Sequence, residues 1–75
     1  MGAVTNIRTL FKGKHNFNDD ISAWDVSNVT NMEAMFQNAS SFNQPLEAWD
    51  VSNVTNMRST FYGASSLAAQ PSWYH

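Results

Sequence analysis

The sequence predicts an α/β repeat fold: a short solenoid of three 25-residue strand–loop–helix units, with parallel strands on its concave face. Three observations lead there. The string WDVSNVTNM occurs at residues 24–32 and again, unchanged, at 49–57. Sliding residues 24–48 onto 49–73 gives 13 identities, too many for coincidence. A weaker first copy precedes them, in which Val4, Thr5, Asn6 and Phe11 match Val29, Thr30, Asn31 and Phe36. The 75 residues divide into copies of approximately 1–23, 24–48 and 49–75, which together form one domain.

Helices are expected near 6–13, 31–38 and 56–63. In the middle copy Met32, Met35, Phe36 and Ala39 fall at i, i+3, i+4 and i+7, one apolar stripe. Ile7, Leu10 and Phe11 repeat that phase in the first copy, and Met57, Phe61 and Ala64 in the third. Thr5, Thr30 and Thr55 stand where N-caps belong, and Glu33 completes a capping box with Thr30. Arg8 and Arg58 replace that glutamate in the other copies, so the box is not part of the repeat. Gly13, Asn38 and Gly63 close the three stripes with residue types that tolerate the left-handed conformation.

Short strands are expected at 23–27 and 48–52, where Trp24 and Val26 alternate with Ala23, Asp25 and Ser27. Tyr74 falls in the register of Trp24 and Trp49. Phe17, Phe42 and Leu67 share one place in the connections and are expected to plug the core beneath them. Parallel strands repeat at about 4.8 Å and packed helices at about 8–10 Å. The stack should therefore curve like a leucine-rich-repeat horseshoe, with helices outside.

Composition removes several functional classes. The net charge is -2 with only four Lys and Arg, so no basic face is available for phosphates, and nucleic acid is not an expected partner. No apolar run approaches the roughly 20 residues of a membrane span, and no signal or lipid anchor opens the chain. The absence of cysteine excludes disulfides and thiolate chemistry. His15 and His75 have no partners at ligand spacing, and Gly2, Gly13 and Gly63 form no phosphate loop. Neither metal nor cofactor is expected, nor any catalytic residue.

Through WDVSNVTNM, the MF that follows it, the ASSFNQ connection and the return through PLEAWDVSNVTNM, the sequence resembles the BspA-like repeat of bacterial surface proteins. That repeat of 25–26 residues also occurs in mycoplasma-type surface lipoproteins, and the resemblance covers residues 4–67. It implies a leucine-rich-repeat-like fold in a secreted or surface-anchored protein that adheres to or binds a ligand. It brings no catalytic residues.

On the residues themselves, Trp24 and Trp49 share a face with Val26 and Val51 and are expected to point into the core. Ala23, Asp25, Ser27, Ala48, Asp50 and Ser52 then face outward and form the candidate binding surface for a protein or glycan. Asp25 and Asp50 lie one strand spacing apart, close enough to recruit a cation. However, no dense carboxylate loop supplies the six to eight oxygens calcium needs, so hydrogen bonds to nearby turns are the expected use. The asparagine columns Asn28/Asn53 and Asn6/Asn31/Asn56 are expected to satisfy turns. Asn28-Val29-Thr30, Asn38-Ala39-Ser40 and Asn53-Val54-Thr55 fit the glycosylation pattern only because the repeat supplies those residues. The alternative function is structural. Trp73 and Tyr74 leave an apolar end, a candidate association surface for homo-oligomers, while Lys14 marks a more polar first copy.

Overall fold

The repeat is real, but its units are not strand–loop–helix. The computed structural model describes residues 4–74, leaving Gly2 and His75 outside. Among the described residues there is no helix, and the β-pairing consists of isolated parallel bridges from Asn6 to Asn31 and from Asn31 to Asn56. The α/β solenoid with a concave parallel sheet is therefore overturned. The domain is built of loops and turns stacked in register, in three tiers at 4–28, 29–53 and 54–74.

The backbone explains why the expected helices do not form. Thr9, Ala34 and Ser59 have φ of 58°, 55° and 58°, and Gly13, Asn38 and Gly63 have 70°, 61° and 74°. One left-handed residue in the middle of each apolar stripe ends any right-handed helix there. What replaces it is a chain of overlapping turns. Leu10, Lys12 and Lys14 donate back to the carbonyls of Ile7, Thr9 and Phe11. The alternate amides of Ile7, Thr9, Phe11 and Gly13 donate to Asn31, Glu33, Met35 and Gln37 of the next tier, at 2.8–2.9 Å. Met32, Ala34, Phe36 and Asn38 repeat this onto Asn56, Arg58, Thr60 and Tyr62 at 2.7–2.9 Å. In the first two tiers half of these amides thus close turns and half join tiers, which satisfies them without helix or sheet.

The expected strands fail for a local reason. Asp25 Oδ1 accepts the Ser27 amide at 3.0 Å, and Asp50 does the same for Ser52. Trp24 and Val29 donate back to Ile21 and Val26, so the segment bends twice within nine residues. The threonines are not N-caps either. Thr30 Oγ1 donates to the Thr5 carbonyl and Thr55 Oγ1 to that of Thr30, each at 3.1 Å, pinning tier to tier. Glu33, freed from any capping box, pairs with Arg8 at 3.5 Å on the surface, where such a pair stabilises by under about 1 kcal/mol. With no helices to set a wider spacing, nothing forces the stack to curve.

The core runs through the middle tier. Val29, Met32, Met35, Phe36, Ala39, Phe42 and Leu46 are buried, together with Val26, Ile7, Ile21, Trp49 and Phe61. Rings stack from tier to tier: Phe11 to Phe36 to Phe61 at 5.5 and 5.4 Å, and Phe17 to Phe42 at 5.7 Å. Phe36 and Phe42 lie face to face at 4.3 Å. The connection residues Phe42, Phe17 and Leu67 do plug this core, the first completely and the other two in part. Thr60 replaces the apolar Leu10 and Met35 yet is fully buried, and its hydroxyl lies 2.7 Å from the Met57 carbonyl and 3.0 Å from that of Met32.

Thr9→Gly and Ser59→Gly test the turn assignment. Each should leave stability unchanged or raise it by up to about 1 kcal/mol. The strain of a positive φ, about 1–2 kcal/mol, is relieved and partly offset by the freer unfolded chain. In a helix interior the same changes would lower stability by several tenths of a kcal/mol. A clear fall in the denaturation midpoint would argue for the helix instead.

Candidate functional site

The six candidate binding residues come to one side of the stack as turn residues, not as a strand face. Ala23, Asp25, Ala48, Asp50 and Ser52 are exposed and Ser27 is half-buried. Each aspartate is held by the serine two residues on: the Ser27 and Ser52 hydroxyls donate to Oδ1 at 2.6 Å, and their amides at 3.0 Å. These bonds use one oxygen of each exposed carboxylate and leave Oδ2 without a hydrogen-bond partner among the described residues. Asn53 Nδ2 donates to the Ser27 carbonyl at 2.7 Å and ties the two turns together. The result is a repeated carboxylate with one fixed orientation per tier.

The tryptophans divide. Trp49 is buried at 5% exposure, with its indole N–H on the Ile21 carbonyl at 3.1 Å, whereas Trp24 is 44% exposed. The inward expectation thus holds for Trp49 and fails for Trp24, which has no tier against its N-terminal side among the described residues. Val26 beside it is buried and Val51 is half-buried. Trp24 instead lines an open hollow of about 550 Å³ with Val4, Leu10, Arg8 and Asp25.

At the other end, Tyr74 does keep the backbone register, donating to Pro71 as Trp24 and Trp49 donate to Ile21 and Leu46. The indole that fills the tryptophan place comes from the next-door residue. Trp73 stacks on Trp49 at 6.4 Å and donates to the Leu46 carbonyl at 2.9 Å. Tyr74 meets Phe61 edge-on at 5.0 Å, so both candidate association residues are half-buried against the core.

The column Asn6/Asn31/Asn56 acts as expected of turn residues, whereas Asn53 bridges two tiers and Asn28 makes no side-chain hydrogen bond among the described residues. Asn6, Asn31 and Asn56 each accept the amide two residues on at 2.9–3.0 Å. Asn18 and Asn43 make a further column that sequence reasoning missed, accepting the amides of Asn43 and Ala68 in the next tier. Its signal was the shared offset of 25, obscured because the third copy has Ala68 there. His15 lies 3.2 Å from Ser40, its equivalent one tier on. No group of three or more His, Cys, Asp or Glu that could hold a metal ion occurs among the described residues. No helix among them is long and apolar enough to cross a membrane.

Comparison with known families decides the relationship. The sequence profile of DUF285, described as a Mycoplasma protein of unknown function, matches residues 1–74. The chain belongs to the DUF285 family. No curated protein and no solved structure matches it significantly. DUF285 membership agrees with the mycoplasma-type repeat noted in the sequence, while the leucine-rich-repeat-like part of that resemblance is excluded by the turn-built tiers.

The DUF285 carboxylates carry a pH signature. The Ser27 hydroxyl, then its amide, hold Asp25 below its ordinary pKa, and Ser52 does the same for Asp50, against a small opposing effect of the Asp25 charge. Ser22 lowers Asp20, and Ser72 lowers Glu47 by bonding it across tiers. A depressed folded pKa stabilises fully above the unfolded value, and that contribution is lost as pH falls through the folded one. Stability of the DUF285 chain should thus stay level down to about pH 5 and decline below about pH 4. In Asp25→Asn/Asp50→Asn the acid decline should be shallower. Thermal melts across that range decide it, and an unchanged decline would show that these bonds do not couple to folding.

Proposed function

We propose that this DUF285 chain is a non-enzymatic recognition module that binds a protein or glycan through Ala23, Asp25, Ser27, Ala48, Asp50 and Ser52. The supporting observation is the repeated, exposed aspartate, fixed on one oxygen by its serine and with the other left without a hydrogen-bond partner among the described residues. Each free oxygen accepts a hydrogen bond from a sugar hydroxyl, an amide or a basic side chain. Because the turn holds it in place, little side-chain freedom is lost on binding. Ala23 and Ala48 flank the carboxylates with minimal bulk, which lets a partner's backbone or ring approach. The like charges favour a neutral or cationic partner over an acidic one.

The resemblance to BspA-like surface proteins supports an adhesive role, and with it a place at the cell surface. Two tiers of a small surface bind weakly, so contacts should be read by an immobilised, multivalent assay. The test is a glycan array together with a panel of basic peptides, probed with the wild-type chain and with Asp25→Ala/Asp50→Ala. Signals on the array should fall at least about tenfold, since charge-assisted bonds contribute about 1.5–3 kcal/mol each. Undiminished binding of the double variant would place recognition on another face.

A further inference from the structure

The two ends of the stack are complementary, and we infer that the chain associates head to tail with a second copy of itself. The inference stands apart from the recognition surface, which lies on the side of the tiers. Every tier joins the next by the same bonds: along 7–13 and 32–38 alternate amides donate to alternate carbonyls of the following tier, while the Thr30 and Thr55 amides donate back to Thr5 and Thr30. At the C-terminal end the amides of Met57, Ser59, Phe61 and Gly63, equivalent to Met32, Ala34, Phe36 and Asn38, find no partner among the described residues. At the N-terminal end the same is true of the carbonyls of Asn6, Arg8, Leu10 and Lys12, equivalent to Asn31, Glu33, Met35 and Gln37. Along this stretch one end is a row of donors and the other a row of acceptors. Ser59 and Gly63 have φ of 58° and 74°, against 55° and 61° at Ala34 and Asn38. The donor row is therefore preformed.

Side chains agree with the backbone. Val4, Leu10 and Trp24 are 65%, 44% and 44% exposed, while their equivalents one tier on, Val29, Met35 and Trp49, are 2%, 0% and 5%. The indole N–H of Trp49 reaches back to Ile21 and that of Trp73 to Leu46, whereas Trp24 has no such acceptor among the described residues. In a head-to-tail contact the carbonyl equivalent to Ile21 and Leu46 is that of Pro71 in the second copy. The same register lays Phe61 over Phe11, extending a column already spaced at 5.5 and 5.4 Å. Joining two C-terminal ends would oppose donor to donor, so the polar rows exclude it. An interface of unlike ends leaves a free end on each dimer, so the assembly grows past two copies. It also brings Arg58 over Arg8, two like charges, so added salt should strengthen it.

Sedimentation velocity of the wild-type chain over a hundredfold range of concentration should show the average mass rising without a plateau at dimer. Cysteine pairing then fixes the register, since the chain has no cysteine of its own. Across a head-to-tail contact Thr5 and Thr55 lie one tier apart, about 4.8 Å, within disulfide reach. Within one molecule they are two tiers apart, about 10 Å, and cannot bridge. Thr5→Cys mixed with Thr55→Cys should give the mixed disulfide dimer under mild oxidation, and neither variant alone should dimerise above an Ala48→Cys control. Leu10→Asp should abolish association while its melting curve stays that of the wild type. A constant monomer mass overturns the inference. So does a Thr55→Cys homodimer, which would join the C-terminal ends. Association that weakens with salt and yields no mixed product also overturns it, by placing the contact between the first tier's Arg8, Lys12 and Lys14 and the exposed carboxylates Asp25 and Asp50.

Discussion

Phe36→Ala is expected to remove a large share of the chain's stability. Phe36 is fully buried and meets Phe11, Phe42, Phe61 and Trp49 at 5.5, 4.3, 5.4 and 6.4 Å. It is thus the ring through which all three tiers and the connection above them touch. Truncating such a residue costs about 3–5 kcal/mol, partly in lost transfer energy and partly in the cavity left behind. A chain of this length has only about 4–11 kcal/mol of total stability. Where folding survives, the melting temperature should fall by more than about ten degrees. Phe36→Leu should cost distinctly less, because it keeps most of the volume. A Phe36→Ala melt within a few degrees of the wild type would mean that the ring column is not the core.

The second large effect separates two residues that the repeat makes identical. Trp49→Ala should cost about 3–5 kcal/mol and Trp24→Ala under about 1. Both open the same WDVSNVTNM string, yet Trp49 is 5% exposed and Trp24 is 44% exposed. Removing Trp49 loses the stack on Trp73, the contact with Phe36 and the bond from its indole N–H to the Ile21 carbonyl. Removing Trp24 loses chiefly its tilted contact with Phe11 at 5.8 Å. Paired urea titrations give the two values. Equal costs would show that burial comes from the unit itself and not from its neighbours. At high concentration the gap should narrow if head-to-tail contact covers Trp24, so both titrations belong at low concentration.

Much of the molecule was legible in its residues. The offset of 25 located every inter-tier contact, since bonded groups lie 24 to 28 positions apart. The apolar stripe named the core, with Met32, Met35, Phe36 and Ala39 all buried. Gly13, Asn38 and Gly63 marked three left-handed residues. The outward side was also readable, because small and charged residues alternate with the apolar ones. What misled was the stripe's spacing. Overlapping turns bring residues three and four apart to one side, as a helix does, so periodicity alone does not separate the two.

The sequence by itself determined that one 25-residue unit occurs three times, which residues each unit turns inward, and which polar groups it leaves outside. Only the tertiary structure decided the backbone path. Thr9, Ala34 and Ser59 take a conformation that none of the three favours alone. Thr9 and Ala34 are held there because the next tier accepts their amides. The same cause decided which copy of a repeated residue is buried and which is exposed. Burial here is a property of having a neighbour, and no single copy of the unit encodes how many neighbours it has.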